Sequence, residues 1–233
     1  MSTTVPNTWG QISFGQSFNT SSLLKANLQV DGSTTIRHGL NGAIVKDGMV
    51  GGGFNCGSGL YSFGQWGLEN YSGAHQINIQ NQFNLADWPC FSKFYITFPL
   101  NSLPSGVQIN SATLTLKHFS NSGGATNPVN SLLQALTIAE DWDENTLTWN
   151  NAPLAMENVS QIWVESYYDT PPAARIWDLS SAVATAFASG QPLRLVIYSA
   201  DSPQHSGKYF ISSDAGAASA NDRPTLIVNW SNP

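Results

Sequence analysis

Short segments in which every second residue is apolar dominate the second half of the chain. The clearest examples lie at 93–98, 111–117, 193–197 and 226–230. Alternation with a period of two is typical of antiparallel strands that bury one face and expose the other. Clusters of Ser, Asn, Gly and Pro, which favour turns, separate these segments. The pattern predicts an all-β fold, an antiparallel β-sandwich of the jelly-roll type.

One segment departs from this alternation and predicts a short helix. Asp178 or Ser180 can cap its first turn, and Gly190 can end it. Apolar residues three and four positions apart would form its inner face, and these are Val183, Ala186 and Phe187. We expect this helix to pack across one end of the sandwich.

The first thirty residues differ from the rest of the chain. Residues 1–30 contain a single charged residue, Lys25, and three widely spaced aromatic residues. This composition predicts an extended N-terminal arm, which either docks on a neighbouring subunit or folds as an edge strand onto its own sandwich. Residues 31–233 are then expected to form one β-sandwich domain, since all-β sandwiches of 200–250 residues commonly fold as a unit.

A glycine-rich and aromatic-rich insertion at about 48–76 interrupts the domain. Glycine disfavours regular structure, so the segment predicts a long surface loop, and such loops are often functional. Its aromatic residues Tyr61, Trp66 and Tyr71 are candidate glycan ligands, because flat aromatic rings stack on sugar rings. The alternative is that these side chains pack the insertion onto the sandwich or onto a neighbouring subunit.

Asp141, Asp143 and Glu144 form the densest carboxylate group in the sequence. One interpretation is a calcium site, since hard cations take oxygen ligands. A second is general acid–base catalysis by paired carboxyls, as in glycosidases. The third is a turn in which these carboxylates accept backbone N–H groups or pair with an arginine such as Arg223.

Composition and missing motifs exclude several classes of function. The net charge is −6, and the nine basic residues are scattered, so nucleic-acid binding is not expected. No apolar run approaches the roughly 20 residues of a membrane helix. The sequence has no nucleophile elbow, phosphate loop or paired histidines. We therefore expect no enzymatic activity and no cofactor, and we assign no metal ligands.

Two further features concern the location of the protein. Only 10% of the residues are charged, a composition common outside the cytoplasm, yet residues 1–6 lack the pattern of a secretory signal. A mature fragment or a virion protein would reconcile the two observations.

Cys56 and Cys90 either form a disulfide or remain free thiols, and their spacing fits no zinc site.

Four blocks in order resemble the DNRLRE-type family of carbohydrate-binding-module-like β-sandwiches. They are the strand–turn–strand stretch 93–116, the Trp142–Pro153 stretch, the Trp177–Gly190 stretch and the 210–226 stretch that ends in Arg-Pro-Thr-Leu. Members of this family are attached to polysaccharide-active and cell-surface proteins, and some bind carbohydrate. The resemblance implies that the tryptophans within the blocks belong to the core, namely Trp142, Trp149, Trp177 and Trp230.

These observations predict a non-catalytic module for display or adhesion on an outer surface. The leading hypothesis is a virion decoration or fibre protein with a carbohydrate-binding-type fold. The alternative is a glycan-binding module of a secreted polysaccharide-active enzyme. The expected partners are a polysaccharide or cell-surface glycan, and protein subunits contacted through the arm. The expected location is extracellular or on a virion surface, without membrane insertion.

Overall fold

The computed structural model describes residues 30–52, 66–82, 90–123, 127–203 and 205–233. These residues form eleven strands and one α-helix. In chain order the elements are β1 (Gly32–Arg37), β2 (Lys46–Gly51), β3 (Gln76–Gln82), β4 (Cys90–Phe98), β5 (Gln108–Asn121), β6 (Ser131–Thr137), β7 (Asn158–Val164), β8 (Ala173–Asp178), α1 (Ser180–Ala188), β9 (Leu193–Ser199), β10 (Lys208–Ile211) and β11 (Thr225–Ser231).

The strands form one curled antiparallel sheet in the order β1-β11-β5-β10-β3-β4-β9-β6-β7, in which β2 also pairs with β4, and β8 with β5. The sheet folds over at β3, whose first half pairs with β10 and whose second half pairs with β4. We call β1, β11, β5, β8 and β10 the first layer, and β2, β4, β9, β6 and β7 the second layer. The predicted all-β antiparallel fold with one short helix is confirmed, and the curled sheet is compatible with a jelly-roll sandwich.

The inward faces of both layers meet in one hydrophobic core. Trp177 on β8 is fully buried, and its indole Nε1 donates to the Leu133 carbonyl on β6 of the opposite layer, at 3.4 Å. The alternation in the sequence correctly identifies which strand residues point inward. These include Phe94, Ile96, Phe98, Ala112, Leu114, Leu116, Leu193, Leu195, Ile197, Leu226 and Val228, all buried.

The helix α1 lies where the sequence predicts it. The Asp178 carboxylate accepts the backbone N–H of Ser180 at 3.0 Å at its start. Gly190 adopts φ 66° just beyond its end, in the left-handed region that glycine tolerates. Val183 is fully buried, and Ala186 and Phe187 pack against the core. No helix among the described residues is long and apolar enough to cross a membrane.

A second, smaller hydrophobic cluster lies on the outer face of the second layer. Residues 138–157, between β6 and β7, run across this face, and we call them the cover loop. Trp142 and Leu147 of the loop pack against Tyr95 on β4 and Val196 on β9. A side chain at Gly48 would meet Leu147 at 3.1 Å, so the loop approaches β2 closely. The middle of the second layer is therefore buried on both faces.

Several predicted features lie outside the described residues. These are the N-terminal arm up to residue 29, the middle of the insertion at 53–65 with Tyr61, and Cys56. The pairing of Cys56 with Cys90 and the role of the arm stay predictions. The loop predicted at 48–76 begins later than expected, because its first four residues belong to β2.

Candidate functional site

The outer face of the second layer divides into two halves. The covered half lies under the cover loop and contains Tyr95, Leu136 and Val196, together with Val50 on β2, which lies opposite Lys93. The open half consists of the side chains that point outward two residues farther along the same strands, together with Trp163 on β7. This row contains Lys93 on β4, Tyr198 on β9, Gln134 on β6 and Gln161 on β7.

Strand register brings the members of this row together. Tyr198 lies opposite Gln134, and Gln134 lies opposite Gln161. The Gln134 side-chain amide donates to the Gln161 side-chain carbonyl at 3.2 Å. The neighbouring cross-strand pair on this face is Leu132 and Trp163, and the Trp163 side chain is 62% exposed. The open half is thus a continuous polar and aromatic surface.

A groove of about 460 Å³ lies where this row meets the cover loop. Its volume falls within the range of small-molecule binding sites. A smaller pocket of about 150 Å³ adjoins it and shares Lys93, Trp149, Leu154 and Tyr198 with it. The groove is lined by Gln80, Asn81, Phe91, Ser92, Lys93, Trp149, Leu154, Ala155, Tyr198 and Ser199.

Lys93 is the cationic side chain in the lining of this groove. Its Nζ lies 4.5 Å from the ring centroid of Trp149 and 5.6 Å from that of Tyr198, both within the range of cation–π attraction. Burial lowers the pKa of the Lys93 ammonium, because the charged form is desolvated. The ammonium group therefore lies between two aromatic rings with its donors near the groove.

Trp149 forms the wall of the groove on the side of the cover loop. Its ring contacts Trp66 edge-on, with centroids 5.4 Å apart, and stacks at an offset on Phe91, with centroids 6.4 Å apart. The Asn150 backbone N–H donates to the Gly67 carbonyl at 3.2 Å, which ties this part of the loop to the segment that follows β2. Trp149 is only partly buried, so its predicted place in the core is only partly correct, whereas Trp142 and Trp177 are buried as predicted.

Trp66 is buried, which agrees with the alternative that the aromatic residues of the insertion pack it onto the sandwich. Its side chain is 2% exposed, because its ring is packed against Trp149 and Phe91. Burial of a large aromatic surface outweighs the preference of the surrounding glycines for an open loop. Trp66 therefore supports the groove from behind, and its ring offers no face to a sugar in this conformation.

Tyr71 is partly buried against the main core, and its hydroxyl donates to the Gly51 carbonyl at 2.8 Å. This placement agrees with the alternative that the aromatic residues of the insertion pack it onto the sandwich. Its role as a glycan ligand stays a prediction, as does that of Tyr61. The residues that line the groove were not singled out from the sequence as ligands, although the alternation along 193–199 does turn Tyr198 outward.

The structure separates the three clustered carboxylates of the cover loop. Asp141 accepts Lys46 Nζ at 2.7 Å and Arg194 Nε at 3.3 Å, and the hydrogen bond from Lys46 lowers the pKa of its carboxyl. Asp143 accepts the backbone N–H of Asn145 at 3.0 Å and so stabilises its own turn. These two residues have the structural role that was the third interpretation.

Arg223 is not the partner of these carboxylates. Its guanidinium donates to the carbonyls of Ala215 and His38 instead. The predicted type of interaction is therefore correct for Asp141, with Lys46 and Arg194 in place of Arg223.

Glu144 meets Asp47 and Asp214, which the sequence did not single out as ligands. One oxygen from each of the three carboxyls lies within 4.8 Å of the others, and this is the acidic group among the described residues that could hold a metal ion. Asp47, on β2, is 3% exposed and accepts the Ser213 backbone N–H at 2.7 Å. The three residues are far apart in sequence, so only the fold brings them together.

Burial raises the pKa of two of these carboxyls. Desolvation raises the pKa of Asp47 to about 8, and the nearby charges of Asp214 and Glu144 act in the same direction. The pKa of Glu144 rises to about 7, first through desolvation and then through the charge of Asp214. Like charges in a low-dielectric setting are costly, so this group favours protons or a bound cation.

A curled antiparallel sheet with an aromatic and amide-lined groove on its outer face is an architecture suited to binding carbohydrate. The model of carbohydrate-binding module family 96 matches residues 63–229, well over half of the chain. The chain belongs to this family. The expected carbohydrate-binding-module-like family is thereby confirmed, and the DNRLRE-type name is compatible with the match. No curated protein matches the chain.

Proposed function

We propose that this protein binds a glycan through the groove on the open half and does not cleave it. The observation that carries the proposal is the meeting of Lys93, Trp149 and Tyr198 in one groove of about 460 Å³. Membership in a family of carbohydrate-binding modules supports the class of ligand. Such modules are not catalytic, which supports the expectation that the chain is not an enzyme.

The chemistry of the groove suits a sugar. A pyranose ring presents apolar C–H groups on its faces and hydroxyl groups around its edge. Aromatic side chains such as Trp149 and Tyr198 contact the apolar faces. The Lys93 ammonium donates hydrogen bonds to hydroxyls, and the Asn81 amide both donates and accepts them, so the groove lining supplies both kinds of contact. A few polar groups within a largely aromatic site fix orientation as well as affinity.

The open half favours a chain-like glycan over a single terminal sugar. From Lys93 on β4 to Gln161 on β7 the row crosses three strand spacings, or about 14 Å. Gln134 and Gln161 provide amide groups along this path, and the exposed Trp163 lies beside its far end. Several consecutive sugar units of a polysaccharide would therefore contact the same surface.

Affinity electrophoresis and calorimetry with a panel of neutral and acidic polysaccharides test the proposal. Tyr198→Ala and Lys93→Met are expected to weaken binding at least about tenfold, the effect of losing a central contact. Ile176→Ala is the matched control, because Ile176 is an exposed apolar residue on β8 of the first layer. Unchanged binding in both groove variants, at unchanged melting temperature, would rule out this groove as the glycan site.

The setting in which the module works is part of the proposal. Low charge, 10% of residues, supports a location outside the cytoplasm, either on a virion surface or within a secreted polysaccharide-active enzyme. A display role would use residues 1–30 to contact protein subunits. Light scattering of the full chain distinguishes the two settings, because a decoration or fibre protein is expected to assemble and an enzyme-borne module to remain a monomer.

A further inference from the structure

We propose that Asp47, Glu144 and Asp214 bind a divalent cation, with Ca²⁺ as the best match, and that this cation anchors the cover loop. The three carboxyls come from three separate parts of the fold. Asp47 lies on β2, Glu144 lies on the cover loop, and Asp214 follows β10. A cation held by all three would join these segments at one point.

The spacing of the oxygens suits a calcium ion. One oxygen from each carboxyl lies within 4.8 Å of the other two. Calcium–oxygen distances are about 2.3–2.6 Å, so two ligands on opposite sides of the ion stand at most about 5 Å apart. All three ligands are carboxylates, which favour a hard cation over zinc or copper. Mg²⁺ demands a tighter octahedron and retains more water, so it is expected to bind more weakly.

Two buried oxygens, one on Glu144 itself and one on Ser213 beside the group, point to a missing ligand. Glu144 Oε1 is fully enclosed and has no N–H or hydroxyl partner, and the Glu144 carboxyl faces that of Asp214, which raises the pKa of Glu144. Ser213 is 1% exposed, and its hydroxyl lies beside the Asp47 carboxyl, whose pKa it lowers, without meeting hydrogen-bond geometry. Buried polar atoms are normally satisfied, so two such oxygens at one acidic group call for a further partner.

Nearby cations do not supply that partner. Lys46 lies close enough to lower the pKa of Glu144, but its ammonium donates to Asp141 and to the Trp142 carbonyl. The Asp47 carboxyl accepts a hydrogen bond from the backbone N–H of Ser213, a neutral donor. A divalent ion would neutralise the three carboxyls and coordinate the enclosed Glu144 oxygen at the same time.

The position of Glu144 links the cation to the groove. Trp149, the groove wall, follows Glu144 by five residues in the same loop. Asn70 donates to the carbonyls of Glu144 and Leu147 at 2.8 Å each, so this part of the loop is already held from one side. A cation at Glu144 would hold it from the other. This consequence for glycan affinity depends on the proposed function, whereas cation binding does not.

The test measures cation binding in the absence of any glycan. The full chain is treated with a chelator and dialysed, and Ca²⁺ is then titrated during thermal unfolding and isothermal calorimetry, with Mg²⁺ in parallel. At a hundredfold excess over Kd, Ca²⁺ is expected to raise Tm by about 5–10 °C. Asp214→Asn and Glu144→Gln should remove most of the shift. Glu157→Gln is the matched control, since Glu157 is exposed in the same loop and lies outside the group, and it should keep the full shift.

Two results would overturn the cation site. One is a wild-type Tm that millimolar Ca²⁺ does not change. The other is an undiminished shift in both Asp214→Asn and Glu144→Gln. The variants avoid Asp47, because its buried carboxyl accepts the backbone N–H of Ser213 and its replacement is expected to destabilise the fold. A Ca²⁺-dependent Tm in a protein that binds no polysaccharide would support the cation site and refute the proposed function, so the two failures can be told apart.

Discussion

The covered and open halves of the second layer lie on the same strands, yet one half is buried and the other forms a surface. On β4, Tyr95 lies under the cover loop, whereas Lys93, two residues earlier, faces the groove. On β9, Val196 and Tyr198 differ in the same way. The strands present both rows identically, and a loop of twenty residues decides which row becomes core and which becomes surface. A binding surface can thus be the part of a sheet face that continues a hydrophobic cluster beyond the loop that covers it.

The largest expected difference between the halves is in stability. Trp142 of the covered half contacts Tyr95 edge-on at 6.1 Å and lies beneath Lys46 Nζ at 4.9 Å. We expect Trp142→Ala to lower the free energy of unfolding by about 3–5 kcal/mol, because it leaves a cavity in a closed cluster. Trp163→Ala, on the open half, should cost within about 0.5 kcal/mol. Equal losses in chemical denaturation would contradict the division into two halves.

A pH prediction sharpens the comparison through a buried neutral histidine, His118, in the first layer. Burial, and then the charge of Arg175, lowers the pKa of His118 to about 4. Its Nε2 lies 2.8 Å from the Ser120 carbonyl, and Arg175 Nε donates to its Nδ1, which fits a neutral ring. The unfolded chain binds a proton below about pH 6.5, while the folded chain does so only near pH 4.

Stability attributable to His118 is therefore complete above about pH 6.5 and falls as the pH decreases to about 4. The loss amounts to about 3 kcal/mol. Denaturant unfolding at a series of pH values measures it, with His118→Gln as the comparison. The carboxyls of Asp47 and Glu144, whose pKa values are raised, respond in the opposite direction and are common to both proteins. If the two proteins show the same slope between pH 4 and 6.5, the assignment to His118 is wrong.

A smaller effect should distinguish the two ends of the open half. We expect Trp163→Ala to weaken binding of a long polysaccharide by up to about fivefold, the effect of a peripheral contact. Binding of a short oligosaccharide that fills only the groove should remain unchanged, because Trp163 lies on β7, beyond the groove lining. Calorimetry with a ladder of chain lengths measures both. A loss that is independent of chain length would place Trp163 within the groove site.

The smallest effect concerns the ion pairs at the edge of the covered half. Asp141 pairs with Lys46 and Arg194, but its side chain is 65% exposed. Exposed ion pairs contribute about 1 kcal/mol or less. We expect Asp141→Asn to lower the free energy of unfolding by no more than that, and the loss should shrink in high salt. A loss comparable with that of Trp142→Ala would show that the ion pairs, and not apolar packing, hold the cover loop.

Local chemistry determined much of the fold in advance. Period-two alternation identified the inward residues of β4, β5, β9 and β11 because each side chain of a strand points to one of two faces. The helix at Ser180–Ala188 followed from the spacing of its apolar residues and a glycine that accepts a positive φ, although its N-cap is Leu179 and not Asp178 or Ser180. The order of the strands did not follow from the sequence, because alternation carries no information on which strands are neighbours.

The candidate sites depend on contacts between distant residues, which the local sequence pattern does not determine. The sequence determined that Tyr198 points away from the core and that Trp66 is a large apolar ring, but it could not say what covers either one. Glycines around Trp66 favoured an exposed loop, whereas contacts with Trp149 and Phe91 buried it. The tertiary structure decided these outcomes, as it decided that Glu144 meets Asp47 and Asp214. Burial and charge proximity depend on residues distant in sequence, and only a folded chain brings them within reach.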